Sequence, residues 1–497
     1  MLAIMINLLE KTIFKLGSPT RYLFLKLTNG NQHSANMLVL LLSNFSYALT
    51  TPFNSFYMEK NITGDLRGIA DQMGVSLSFL LTIIKLFAGT TKLLMVFFSG
   101  YIVYKSKYYT TPIIISQLMF CINSICIDVF AFSNLTGFWR QLSFCLTTVA
   151  LSFGEAVRDV GRVHLIISTC DYLYKNKNKD YRSSMSASFL FLRRSIYQLS
   201  SSIGSLSILY LVKNNLTFLT SKDFLYSVFA PIQIFFLLLT ISFSPSLNPA
   251  VVKNVEPTIK KYYDKMCSYI KDNGFVNSIK TASLNALVYA KNYIGGWGST
   301  ANIYIFSVLN CILIHIFCSV KKNLLLYITL PSNTGTIYQN IKLTGQICTF
   351  IATSITSYLL SERVITGGFI LNLGAFMVSI YVGLLYGILQ NFIEIPTGET
   401  GQTIITILYT LWLISIAFIN STMSMVISDY WSNKETDRDF FSVIRYISLF
   451  IGSAIVQVLF STENITIGYI VLGITSFIML KGFTFNFLYL NEYTKEK

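Results

Sequence analysis

Charge is what this sequence has least of. Only 12% of its 497 residues are charged, against about a quarter in a soluble domain, which excludes an ordinary solvated globular protein. Cysteine is sparse in pattern: eight are scattered, mostly within apolar runs, and no Cys-x-x-Cys pair occurs. That rules out the spacing that holds zinc or runs dithiol chemistry, so no metal site and no disulfide framework are expected. A secretory leader is not expected either, because Lys11, Lys15, Arg21 and Lys26 interrupt residues 1–30. Acidic residues are fewer than basic ones, leaving a formal charge of +15. Basic loops flanking apolar helices account for such an excess through the positive-inside rule, and nothing resembles a nucleic-acid-binding module, so no nucleic-acid partner is expected.

What is present is apolar: 53% of the chain is hydrophobic and the mean hydropathy is +0.56. The chain reads as an all-α, polytopic integral membrane protein of about 13 transmembrane helices. Runs near the length of about 20 apolar residues that a bilayer requires fall at 36–57, 110–132, 139–168, 184–212, 222–246, 302–320, 342–360, 365–389, 403–428, 441–460 and 464–490. The stretch 74–104 is either one tilted span or two short ones broken at 88–92, so the total is twelve or thirteen. Residues 1–35 form an amphipathic N-terminal segment expected to lie along the membrane surface, 36–246 an N-terminal set of helices, and 302–490 a C-terminal set. Between the two sets, 247–301 is a basic loop expected on the cytosolic side, and 491–497 is a short polar tail. With no sizeable part outside the bilayer, a functional site has to be built among the helices or at their ends.

The segment FGEAVRDVGRVHLIIS, residues 153–168, concentrates that question, carrying Glu155, Arg158, Asp159, Arg162 and His164 inside an apolar run. Arg158 and Arg162 are four apart and share a helix face, with Asp159 in reach of Arg162. The pair of arginines either holds a phosphate or forms part of an internal ion pair. Arg193, Arg194 and Arg445 also fall mid-span, where a transporter of an organic anion would use them directly and an enzyme binding CoA or a lipid phosphate could too, whereas Lys85 and Lys92 read as snorkelling from a break between short spans.

Several blocks are similar to another kind of protein. Asn29-Gly30 stands before the first span, "GIAD" (68–71) ahead of the second, "DVFAF" is at 128–132, "FGEAVRDVG" sets Gly154, Asp159 and Gly161 in register, and "LYTLWLI" is at 408–414. These resemble the family of the GPI-anchored wall transfer protein. The resemblance implies thirteen spans and a membrane O-acyltransferase of the endoplasmic reticulum. Such an enzyme moves a fatty acyl group from acyl-CoA to the inositol ring of glucosaminyl-phosphatidylinositol in GPI-anchor biosynthesis, with acyl-CoA as donor substrate and no cofactor. On that reading Asp128 is the first candidate for the general base, Arg140 steadies a phosphate or the oxyanion, and His164 is a second base candidate. Arg158, Asp159, Arg162 and Asn340 bind substrate. The sequence departs from the family in lacking both prolines after Asp128 and in carrying Ile341, Lys342 and Leu343 after Asn340.

The alternative is a twelve-helix transporter of the major facilitator type carrying a small organic anion. "GYIVYKSKYY" (100–109) is similar to the Gly-plus-basic loop after the second span of that superfamily. "DYLYKNKNKDYRSS" (171–184) and "DYWSNKETDRDFFS" (429–442) echo one another, as related halves would. A lipid glycosyltransferase would show acidic residues in a large early lumenal loop, and none is present.

Overall fold

The computed structural model describes residues 2–73, 106–132, 138–214, 228–246, 258–281, 335–389, 392–396 and 398–431, with a few isolated positions besides. The predicted spans at 302–320, 441–460 and 464–490, most of 74–104, the 491–497 tail, Lys85, Lys92 and Arg445 lie outside the described residues. The protein is an all-α, polytopic membrane protein.

Eleven helices are described: α1 (Leu2–Leu16), α2 (Ser18–Leu27), α3 (Gln32–Met73), α4 (Thr110–Phe132), α5 (Phe138–Leu173), α6 (Lys179–Asn214), α7 (Ala230–Ile241), α8 (Thr258–Asn273), α9 (Gly335–Ser361), α10 (Gly367–Leu389) and α11 (Glu399–Trp431). Within α9 and α11, Asn340–Ser361 and Glu399–Ser421 are apolar and long enough to cross a bilayer. The 22 residues of the first rise about 33 Å at 1.5 Å each. The first span differs from expectation: α3 continues without a break to Met73 and absorbs the "GIAD" block, which sits inside a helix rather than ahead of one.

Helices α4 and α5 form an antiparallel hairpin whose close approach depends on two glycines. A Cβ on Gly154 would lie 3.1 Å from both Phe120 Cε1 and the Ser116 carbonyl oxygen, and one on Gly161 would lie 3.0 Å from Pro112 Cβ. Lipid tails give no hydrophobic drive for helices to associate, so small residues that let backbones touch supply the packing instead. The two glycines read above as part of an acyltransferase block are thus accounted for by helix packing.

Among the described helices, α6 touches α3, α5, α9 and α11. Its contact with α9 is a polar seam. Ser188 and Ser357 each donate a hydroxyl to the other's carbonyl, at 2.8 and 2.9 Å. Farther along, Ser195 Oγ donates to Thr353 Oγ1 at 2.8 Å, and Gln346 joins Ser201 and Ser205 at 2.9 and 3.2 Å. Every one of these side chains is buried, so the seam joins helices before and after the 247–301 segment through hydrogen bonds in addition to the apolar packing of Leu190, Phe191 and Leu360.

The segment following α7 is stitched to the bundle by Asn36. Its amide nitrogen donates to the Ser244 carbonyl at 3.1 Å and to Ser246 Oγ at 2.8 Å, while its oxygen accepts from the Ser244 N–H at 2.7 Å. Asn36→Ala is expected to destabilise the protein by about 1–3 kcal/mol, because the Ser244 N–H is left buried without an acceptor. Thermal unfolding of the detergent-purified variant checks this, and an unchanged midpoint would contradict it.

Candidate functional site

Arginine in a membrane bundle is costly unless the surroundings use it, and the described helices gather three around one cavity. It is lined by Leu40, Ser43, Asn44 and Tyr47 of α3, Ile113, Gln117 and Phe120 of α4, Arg158 and Arg162 of α5, Arg193 of α6 and Phe236 of α7. The i, i+4 spacing does what it predicts, turning Arg158 and Arg162 to the same side of α5. Among the described residues no Asp or Glu is in the lining.

The arginines are held by two different devices. The Arg158 guanidinium lies 4.7 Å from the centre of the Phe120 ring and 5.3 Å from that of Tyr47, within the range of cation–π attraction. Those two rings are 4.5 Å apart, and Phe236 follows at 6.1 Å from Tyr47. The Tyr47 hydroxyl also lies within electrostatic reach of Glu155, one turn before Arg158 on α5. Arg193 is 8% exposed and pairs reciprocally with Asn44. The Asn44 amide donates to the Arg193 carbonyl at 3.0 Å, and Arg193 Nη1 donates to Asn44 Oδ1 at 3.4 Å. Arg162, at 9% exposure, completes the set.

The cavity's free volume is about 20 Å³. A water-sized group needs about 10–15 Å³, so this conformation has room for the charged end of a solute and not for a whole sugar.

The other predicted site residues fall elsewhere. Asp128 is in the last turns of α4 and Arg140 at the start of α5, which puts both at the connection between those helices. Arg140 is 18 residues before Arg158, about 27 Å along the helix axis. The expected base and the expected phosphate-binding arginines are thus not brought together. Asp159 and His164 lie on α5, and the side chains of Asp128, Arg140, Asp159 and His164 are outside the described set. Asn340 is exposed near the start of α9 and does not line the cavity.

The residues that sequence reasoning missed are Asn44, Tyr47 and Gln117. Their signal was there to be read, since "LLLSNFSY" and "IIISQLMF" each carry an amide inside an apolar run, and a polar side chain in a span marks either helix association or a site. Arg194, next to Arg193, is not in the cavity lining and stands 5.4 Å from the Tyr197 ring.

No family description matches the chain, and no curated protein does. Solved structures do. The structure of FucP, a Major Facilitator Superfamily transporter in the outward conformation, matches with a TM-score of 0.57 at 13% identity, covering 92% of this chain and 99% of that one. A variant of the same E. coli fucose:proton symporter gives 0.58 at 13% identity over the same shares. The proton:xylose symporter XylE bound to 6-bromo-6-deoxy-D-glucose gives 0.51 at 11% identity, covering 92% of this chain and 96% of that one.

The fold is therefore that of these solved structures. This overturns the resemblance to the GPI-anchored wall transfer protein family and, with it, the inositol acyltransferase activity. Two of the blocks carrying that resemblance are features of packed helices: the two glycines of a close hairpin, and an "Asp before a span" that lies within α3. Acyl-CoA, glucosaminyl-phosphatidylinositol and the endoplasmic-reticulum address came with the resemblance and have no separate support. What stands is a multi-pass membrane protein.

Proposed function

We propose that the protein is a membrane transporter of small organic anions. The observation that carries this reading is the convergence of Arg158, Arg162 and Arg193 on one cavity among the helices. Guanidinium groups present several donors in a rigid fork suited to carboxylate or phosphate. Two of the three here are nearly removed from solvent, where attraction to an anion is screened far less than at a surface. Neutral sugars, the cargo named for the structural neighbours, do not call for such a concentration of positive charge.

The fold supports movement as well as binding. Transporters with related halves expose a central site alternately by rocking one bundle against the other, and the α6–α9 seam is the kind of joint that tolerates this. Its hydroxyl and amide pairs can exchange partners as the helices slide past one another.

A ligand that binds only the folded state raises its melting temperature. Small carboxylates and phosphates are expected to stabilise the detergent-purified protein against heat in a saturable way, and Arg193→Gln is expected to remove that effect. Stabilisation by neutral sugars but by no anion would contradict the proposal.

A further inference from the structure

The same cavity contains a group the arginines do not explain. Gln117, 5% exposed, lines it, and its Oε1 is buried with no hydrogen-bond partner among the described residues. The orientation of this amide is fixed by its neighbour. Ser43 Oγ commits its proton to the Leu40 carbonyl at 3.1 Å, so toward Gln117 it can only accept. The Gln117 NH2 group faces it at 2.8 Å accordingly. The amide oxygen is therefore the end left over, an acceptor among cations.

An unsatisfied buried acceptor costs about 1–3 kcal/mol, and an anion whose oxygens are all acceptors cannot relieve it. From this we infer, building on the anion-transporter reading, that the substrate is an oxyanion carrying its own hydrogen-bond donor beside the charge. A hydroxycarboxylate and a hydrogen phosphate share that chemistry: the oxygens meet the arginines while the hydroxyl donates to Gln117 Oε1. Fully acceptor-type anions of the same size and charge leave the Gln117 oxygen stranded. Sites that read a hydroxyl in this way discriminate strongly against its absence, because the site's own polar group is left unpaired.

The test uses matched pairs that differ in the donor: phosphate against sulfate, malate against succinate, and lactate against propionate. Each is titrated into the purified full-length protein, with thermal stabilisation as the readout of apparent affinity. In at least one pair the donor-bearing member is expected to bind at least about tenfold tighter, as one satisfied buried group implies. The pair that shows this identifies the source, phosphate or hydroxycarboxylate. Gln117→Leu is expected to bring that ratio toward one.

Anions that bind with all three ratios near one would overturn the donor inference and leave the transporter of anions standing. An absence of stabilisation by any of the six would overturn both. A ratio that persists undiminished in Gln117→Leu would show that another group reads the donor, and would overturn the assignment to Gln117. The wild-type ratios decide the main point even where the variant fails to fold.

Discussion

Arg193→Gln is expected to abolish accumulation of organic anions by the reconstituted protein, with a loss of tenfold or more. Hydrogen bonds to charged groups contribute about 1.5–3 kcal/mol each, and Arg193 is buried at the cavity wall with its position set by Asn44. The glutamine retains an amide able to meet Asn44 but loses the charge, so the effect falls on the anion more than on the fold. Arg194→Gln is the matched control. Its guanidinium stands beside Tyr197 and outside the cavity, and this variant is expected to keep most of its uptake. Equal losses in both variants would mean that helix α6 tolerates no change at all, and would remove Arg193 from its assigned role.

The second large effect is a lock. Ser188 Oγ and Ser357 Oγ are 3.1 Å apart across the α6–α9 seam, close enough for cysteines at both positions to form a disulfide, given the Cα separations of about 4.4–6.8 Å that such bonds span. In the Ser188→Cys, Ser357→Cys double variant, oxidation is expected to stop transport nearly completely, and a reductant is expected to restore it. The argument is mechanical: a covalent bond across the joint holds the helices before and after the 247–301 segment in one arrangement, while alternating access needs at least two. Quantitative cross-linking with undiminished uptake would show that α6 and α9 do not move against one another.

Much of this was legible in the sequence, though not all of it was read correctly. Composition and run length gave a polytopic helical membrane protein, because the cost of unpaired backbone in lipid leaves few other solutions. The mid-span arginines were legible too, and the spacing of Arg158 and Arg162 correctly set them on one face. What misled was the meaning of Gly154 and Gly161. A glycine that brings two helices together looks, in one sequence, the same as a glycine in a catalytic block. Only the 3.1 Å approach to Phe120 and Ser116 separates them.

The distance between Asp128 and the arginines was equally hidden. Both lie on the α4–α5 hairpin, and a list of polar residues says nothing of how far apart a rise of 1.5 Å per residue carries them. Gln117 was legible as an amide inside an apolar run, but its role was hidden for another reason. Its significance comes from a donor count around Ser43, and that count requires knowing which carbonyl the serine hydroxyl has already chosen.

The most direct test of the central claim is uptake. Purified protein in liposomes, offered labelled malate, lactate and phosphate in parallel with labelled fucose and xylose, is expected to accumulate at least one of the anions, to saturate, and to lose that uptake in Arg158→Gln and Arg193→Gln. Accumulation of a neutral sugar with no uptake of any anion, unaffected by those two substitutions, would contradict it.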